Sequence, residues 1–452
     1  MTRTATETRI ERDPVGEKEV PEDALYGVQT LRARENFRIS RLRIHPAFLT
    51  AYAEIKIAAA ETNLRMGTLD RDLGRIIVRA AEEVATGRWR DQLELDVFQA
   101  GAGTSYNMNV NEVIANRALE LLGEERGDQE RLDANDHVNK SQSTNDTMPT
   151  AIRIAAVRLL RELTQALDRL AASFEKKADE LSDVEKAGRT HLHDAVPMKL
   201  GDEMGGYAFN IRRALDRLRG LESALLEIPL GGTAVGTGTN TEPEYARRVV
   251  DRLGEVTGLD LREASDRVGM QQSLGDFVAL SGALRGLAVE LSKIANDLRL
   301  LNSGPHTGFA EIELPALQPG SSIMPGKVNP AVAEMLNMVC FHVIGHDTAI
   351  TMCGEAGQLE VNVMMPYIAY ALFESLDVMT NAVRTFDEKC VRIVKARRER
   401  CREFRERSVG LAALHNAELG FMGAAELAKR AEETGKTVDE LLAEGAGEKL
   451  EA

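Results

Sequence analysis

Cysteine is scarce: Cys340, Cys353, Cys390 and Cys401 are the only four in 452 residues, and no two form a Cys-x-x-Cys pair. That argues against a disulfide framework, and no histidine spacing typical of zinc is read beside them, so no metal ligand is assigned and reduced thiols in a cytosol are expected. Aromatic residues make up only 4% of the chain. Nowhere do eighteen apolar residues run together, and the segment Met1 to Val20 has no apolar core of the kind a secretory leader needs. A soluble, cytoplasmic protein without a membrane partner is expected. Positive charge is also short, because 56 Lys and Arg face 71 Asp and Glu for a net charge of −15. Such a balance argues against nucleic acid as a partner. Any anionic ligand would have to be held by donors gathered locally, against the field of the whole protein.

What the sequence has in quantity is helix periodicity. Leu160, Leu163, Leu167, Leu170 and Phe174 recur at three and four residues. A second stripe runs through Met204, Ala208, Ile211, Leu215, Leu218, Leu221, Leu225 and Ile228. The third, from Phe277 through Leu280, Leu284, Leu287, Leu291, Ile294 and Leu298 to Leu301, alternates three and four without a break. Sustained seams of this kind predict long bundle helices, with oligomerisation through them. A fourth helical region is expected from about Ala356 to Arg398, kinked at Pro366. The expected fold class is mainly α, with domains at 1–145 (mainly helical), 146–400 (a central long-helix bundle) and 401–452 (small, with a short helix near Ala424 to Ala431). The last residues, from Gly445, read as a disordered end.

Polar residues concentrate in four stretches. In Gly320-Ser321-Ser322-Ile323-Met324-Pro325-Gly326-Lys327-Val328-Asn329-Pro330, glycines permit close backbone approach, prolines stiffen the path and Lys327 supplies a countercharge. Successive N–H groups in such a turn can make an anion nest. Taken singly, these residues also suit a capped surface turn. Gly103-Thr104-Ser105 precedes an amide run, Asn107-Met108-Asn109-Val110-Asn111-Glu112, which no helix surface requires and which also suits a capped turn. Asn139-Lys140-Ser141-Gln142-Ser143-Thr144-Asn145-Asp146 leads into the helix that follows Pro149, where free N–H groups favour an anion. The fourth is Gly188-Arg189-Thr190-His191-Leu192-His193-Asp194. A lone histidine is more often structural than catalytic, but His191 stands beside Arg189 and Thr190 with no aromatic partner in its segment.

Together, in this order and at these intervals, the four stretches resemble the signature blocks of the fumarase and aspartase superfamily over roughly residues 10 to 440. That resemblance implies a three-domain, mainly helical subunit, a homotetramer with each active site built from three chains, and elimination from a succinyl-type substrate without a cofactor. It implies Ser321 as general base, Ser322 beside it in a mobile lid, and Lys327 and Asn329 as carboxylate ligands. Thr104, Ser143, Thr144 and Asn145 are implied as substrate binders, Thr190 and His191 as contributions from another subunit, and Glu334 as the partner of His191. The chemistry gives these roles a reason: removing a proton next to a carboxylate builds a second negative charge there, which donors already in place must absorb.

Within the superfamily the text looks more like the aspartase branch. Thr104 is followed by Ser105, Ser143 by Thr144, and Asp136-His137-Val138 and Glu355-Ala356-Gly357-Gln358-Leu359-Glu360 depart from fumarase usage. The expected reaction is loss of ammonia from L-aspartate to leave fumarate; the alternatives are malate dehydration, as in class II fumarases, or a substituted aspartate. His193 and His306 stand where the family usually has Gln and Arg.

Overall fold

The computed structural model of the chain describes residues 7–450, with side chains through residue 444. It opens with a hairpin of β1 (Thr8–Asp13) and β2 (Gly16–Pro21), then α1 (Val28–Asn36), α2 (Pro46–Met66), α3 (Arg71–Ala85) and α4 (Thr104–Leu122). The long α5 (Thr144–Glu180) leads to a second hairpin, β3 (Glu185–Thr190) and β4 (His193–Lys199), and to α6 (Leu200–Leu225). Two-residue β5 (Glu227–Ile228) pairs parallel with β6 (Arg262–Glu263) around α7 (Tyr245–Thr257). Next come α8 (Arg267–Gln272), α9 (Gly275–Leu301), β7 (Ile312–Glu313), α10 (Ala331–Glu355) and α11 (Met365–Lys389). β8 (Lys395–Ala396) pairs antiparallel with β7, and α12 (Arg398–Arg407), α13 (Asn416–Thr434) and α14 (Val438–Leu450) finish the described chain.

The sequence periodicity maps onto burial. Every member of the Phe277 to Leu301 seam is buried on α9, as are Leu160 to Phe174 on α5. At roughly 1.5–3 kcal/mol for each fully buried large apolar side chain, these seams outweigh any local helix propensity. Helix ends follow cap chemistry. Pro46 occupies the first turn of α2 behind His45, whose Nδ1 accepts the Ala47 N–H at 3.1 Å, and Gly67 closes the helix at φ 72°.

Three expectations are corrected. Pro366 does not kink a helix but sits in the first turn of α11, where its missing N–H is not needed; residues 356–364 form a turn, and Asn362 Oδ1 accepts the Met364 N–H at 2.9 Å. The amide run is neither exposed nor a capped turn: Asn107, Asn109, Asn111 and Glu112 are buried in the middle of α4. The tail continues as helix through Leu450; residues 451–452 lie outside the described part.

By contact density the chain divides into two compact units, Met1–Leu163 with Arg217–Arg285 and His342–Val378, and Thr164–Asp216 with Gly286–Phe341 and Met379–Ala452. In the first, Phe48 packs edge-on to Tyr52 and Tyr106. In the second, Leu411, Ala412, Leu427, Ala431, Val438 and Leu441 make a small core of their own near the C-terminus. Among the described residues no helix is long and apolar enough to cross a membrane.

Candidate active site

In the first unit, polar chemistry gathers at the starts of α4 and α5. Thr104 is the first residue of α4, placed there by Ala102 at φ 58° and Gly103 at φ 84°. The Ala102 N–H donates to the Val363 carbonyl at 2.8 Å, and a side chain on Gly103 would meet Met148 Sδ at 2.5 Å. Only a glycine suits that combination of left-handed backbone and contact with α5. Ser143, Thr144 and Asn145 sit at the α5 start: Ser143 Oγ accepts the Asn145 N–H at 3.2 Å, and Asn145 Nδ2 donates to the Ala234 carbonyl at 2.8 Å. Pro149 lies inside α5 and has no N–H to give the Asn145 carbonyl.

Two buried charges fix these turns. Lys56, fully buried in the apolar α2, donates to Asn107 Oδ1 at 2.7 Å, Gln142 Oε1 at 2.9 Å and Asn139 Oδ1 at 3.1 Å. It thereby ties the first turns of α4 to the segment that enters α5. Burial pulls its ammonium down to about 7, against the nearby negative charge of Asp146. Asp146, itself buried, accepts N–H bonds from Ser143 (2.9 Å), Gly231 (3.0 Å) and Thr233 (2.9 Å). Burial raises its carboxyl to about 6 despite those donors. Glu112 accepts from Gly27, Gln29 and Thr30 and so caps α1. Of the α4 amides, Asn107 is bonded to buried Lys56, while Asn109 Nδ2 donates to the Gln92 carbonyl at 3.0 Å and Asn111 Nδ2 to Asn139 Oδ1 at 3.2 Å.

In the second unit, His191 and Leu192, both at positive φ (55° and 61°), make the two-residue turn between β3 and β4, which leaves His191 exposed at its tip with Thr190 just before it. Arg189 faces away from chemistry. Its guanidinium pairs with fully buried Glu311 at 2.9 Å and lies over the rings of Phe309 and Phe404. Lys186 reaches the same carboxylate at 3.3 Å, so the hairpin is anchored by a buried charge cluster.

The Gly320–Pro330 stretch is a closed loop. The Gly320 N–H donates to the Lys327 carbonyl at 2.8 Å, and Asn329 Nδ2 donates to the Gly320 carbonyl at 2.8 Å, so both ends are bonded together. A Cβ on Gly320 would meet the Lys327 carbonyl oxygen at 2.7 Å. Inside the loop, Ser321 Oγ accepts the N–H groups of Met324 at 2.9 Å and Ile323 at 3.2 Å. Two amide dipoles directed at a hydroxyl oxygen favour its anionic form. Ser322, Ile323, Met324 and Lys327 are exposed. Glu334 lies in the first turn of α10, where the helix dipole favours a carboxylate. No hydrogen bond or ion pair joins it to His191 among the described residues of the single chain.

The structure thus groups Thr104 with Ser143, Thr144 and Asn145 in one unit, and places Thr190, His191, Ser321, Ser322, Lys327, Asn329 and Glu334 in the other. His193 starts β4 and His306 follows the cis Gly304–Pro305 bond; both are exposed. Lys56 escaped the sequence reading, although one Lys between Ile55 and Ile57 in an apolar helix was a visible signal. His342 and His346 stand one turn apart on α10, with Glu374 of α11 close by, a cluster not singled out in the sequence.

A family model described as lyase matches residues 16–345. The chain is 49% identical over 436 residues to an aspartate ammonia-lyase of a Bacillus species, covering 96% of this chain and 93% of the relative. It is 47% identical over 439 residues to the aspartate ammonia-lyase of Escherichia coli K12, covering 96% and 92%. Among solved structures, a fumarate lyase/delta crystallin from Brucella melitensis bound to cobalt superposes with a TM-score of 0.94 at 46% identity, covering 97% of this chain and 96% of that one. The class II fumarase of Schistosoma mansoni also gives 0.94, at 34% identity and covering 98% and 97%. The chain belongs to this lyase family, the fumarase and aspartase superfamily. It is a carbon–nitrogen lyase, most similar to the aspartase branch.

Proposed function

We propose that the chain is an aspartate ammonia-lyase that converts L-aspartate reversibly to fumarate and ammonia. The observation that carries this reading is the identity, 49% and 47%, to aspartate ammonia-lyases along 96% of the chain. Ser321 takes the proton from the carbon beside a carboxylate, and its oxygen is prepared for this by the Ile323 and Met324 N–H groups. Thr104, Ser143, Thr144 and Asn145 bind the substrate and absorb the charge of the aci-carboxylate. Lys327 and Asn329 hold carboxylate oxygens from the loop, with Ser322 beside them. Thr190 and His191 come from a neighbouring chain, and Glu334 orients His191.

A homotetramer with shared sites follows from that division of labour. It is supported by large apolar side chains left exposed on the long helices: Phe209 of α6, and Met338, Phe341 and Met352 of α10. A malate-dehydrating enzyme is the second reading, favoured by the superposition on a class II fumarase. Formation of the conjugated diacid is followed by its ultraviolet absorbance with L-aspartate or L-malate supplied separately. Turnover on aspartate is expected; turnover on malate alone would overturn the assignment.

A further inference from the structure

The strongest feature outside the residues discussed so far lies in the first unit, where α10 faces α11. His342 and His346 project from successive turns of α10, and Glu374 of α11 meets both: His342 Nε2 lies 3.5 Å from Oε1, and His346 Nε2 lies 3.9 Å from Oε2. One ligand atom from each of the three residues falls within 4.8 Å of the others. Ligands at about 2.0–2.1 Å from an ion in tetrahedral arrangement stand roughly 3.3 Å apart, so only a small closure separates these donors from a coordination sphere.

Two further details favour an ion over a simple hydrogen-bonded cluster. His346 Nδ1 lies 3.2 Å from the Ala371 carbonyl, which fixes that nitrogen as the N–H donor and turns the Nε2 lone pair toward Glu374. A ring held by a backbone carbonyl at its far nitrogen is the usual support of a metal-binding histidine. The Tyr370 hydroxyl hydrogen-bonds the Glu374 carboxylate, yet its buried Oε2 has no hydrogen-bond partner among the described residues, a state that a cation would relieve.

We propose that His342, His346 and Glu374 form a binding site for a first-row divalent metal ion of the zinc type, bridging α10 and α11. Two imidazoles and one carboxylate suit borderline ions, and three protein ligands leave a position for water. The site is independent of the lyase assignment, since none of its residues belongs to the proposed catalytic set.

The test uses the full, untagged chain, freed of metal by a chelator and titrated with Co²⁺, whose visible absorption reports ligand number and type. One ion per chain is expected, with nitrogen and oxygen ligand bands, displaced by Zn²⁺. His342→Ala, at an exposed position that should leave folding intact, and Glu374→Gln should each weaken binding by about tenfold or more. Binding that is absent, or unchanged in both variants, overturns the proposal. So does a thiolate charge-transfer band, which would place the ion at a cysteine such as Cys353.

Discussion

At the level of single residues, the two groups with the clearest consequences are Ser321 and Asp146. Replacing Ser321 by Ala leaves the loop ends bonded through Gly320, Lys327 and Asn329 while removing the proposed proton acceptor. Turnover should fall about 10²-fold to 10⁴-fold, the usual range for a positioned base, with an unchanged melting profile. A fall of less than tenfold would assign the proton transfer elsewhere. Asp146 makes a prediction about pH. Its folded carboxyl, raised by burial, keeps a proton between its ordinary value of 3.8 and about 6, where the unfolded chain has released it. The folded state binds the extra proton, so this contribution to stability is full below that window and is lost as pH rises through it. Urea midpoints measured across the window should show the decline, and Asp146→Asn should flatten it. Both residues were legible in the sequence as motif members. The environment of Asp146 was not, because its three N–H donors include two from residues 231 and 233, far along the chain.

At the level of elements, the helices were the most readable part, since a period of three and four states which face is buried whatever the partner. The seam of α9 and the stripe of α5 carried that information completely. Pro366 and the α4 amides were misread for one shared reason: local chemistry does not say whether a proline opens a helix or breaks one, nor whether an amide meets water or a buried lysine. Lys56 shows what was hidden. Its three acceptors come from α4 and from the turn before α5, so one side chain on α2 sets the mutual position of Thr104 and Ser143. Lys56→Met should cost about 2–3 kcal/mol, because buried carbonyl oxygens lose their donor. The Michaelis constant should rise as well, as the two turns proposed to bind substrate lose a common reference. Chemical denaturation and initial-rate kinetics on the same preparation separate the two effects. A variant as stable as the parent would remove Lys56 from this role.

For the molecule as a whole, the exposed apolar residues of α6 and α10 matter most. Phe341 is 61% exposed on α10, a helix that also leaves Met338 and Met352 exposed. Light scattering after gel filtration should give four times the 49.6 kDa of one chain. Phe341→Asp should yield smaller species with reduced activity, and a wild-type monomer would refute the assembly. The sequence announced this only as sustained seams, because a face that binds another copy has the same pattern as one that binds its own chain. The closed loop at residues 320–330 has another consequence. Its tip, with Ile323 84% exposed, offers a protease an accessible bond, while its base stays tied by the Gly320, Lys327 and Asn329 bonds. A single cut after Ile323 would yield two fragments, one carrying α5, α6 and α9 and the other α10 and α11, each with segments in both units. On a native gel the nicked protein should migrate as an intact particle, separating into two bands only in detergent, with its catalysis gone and its shape preserved.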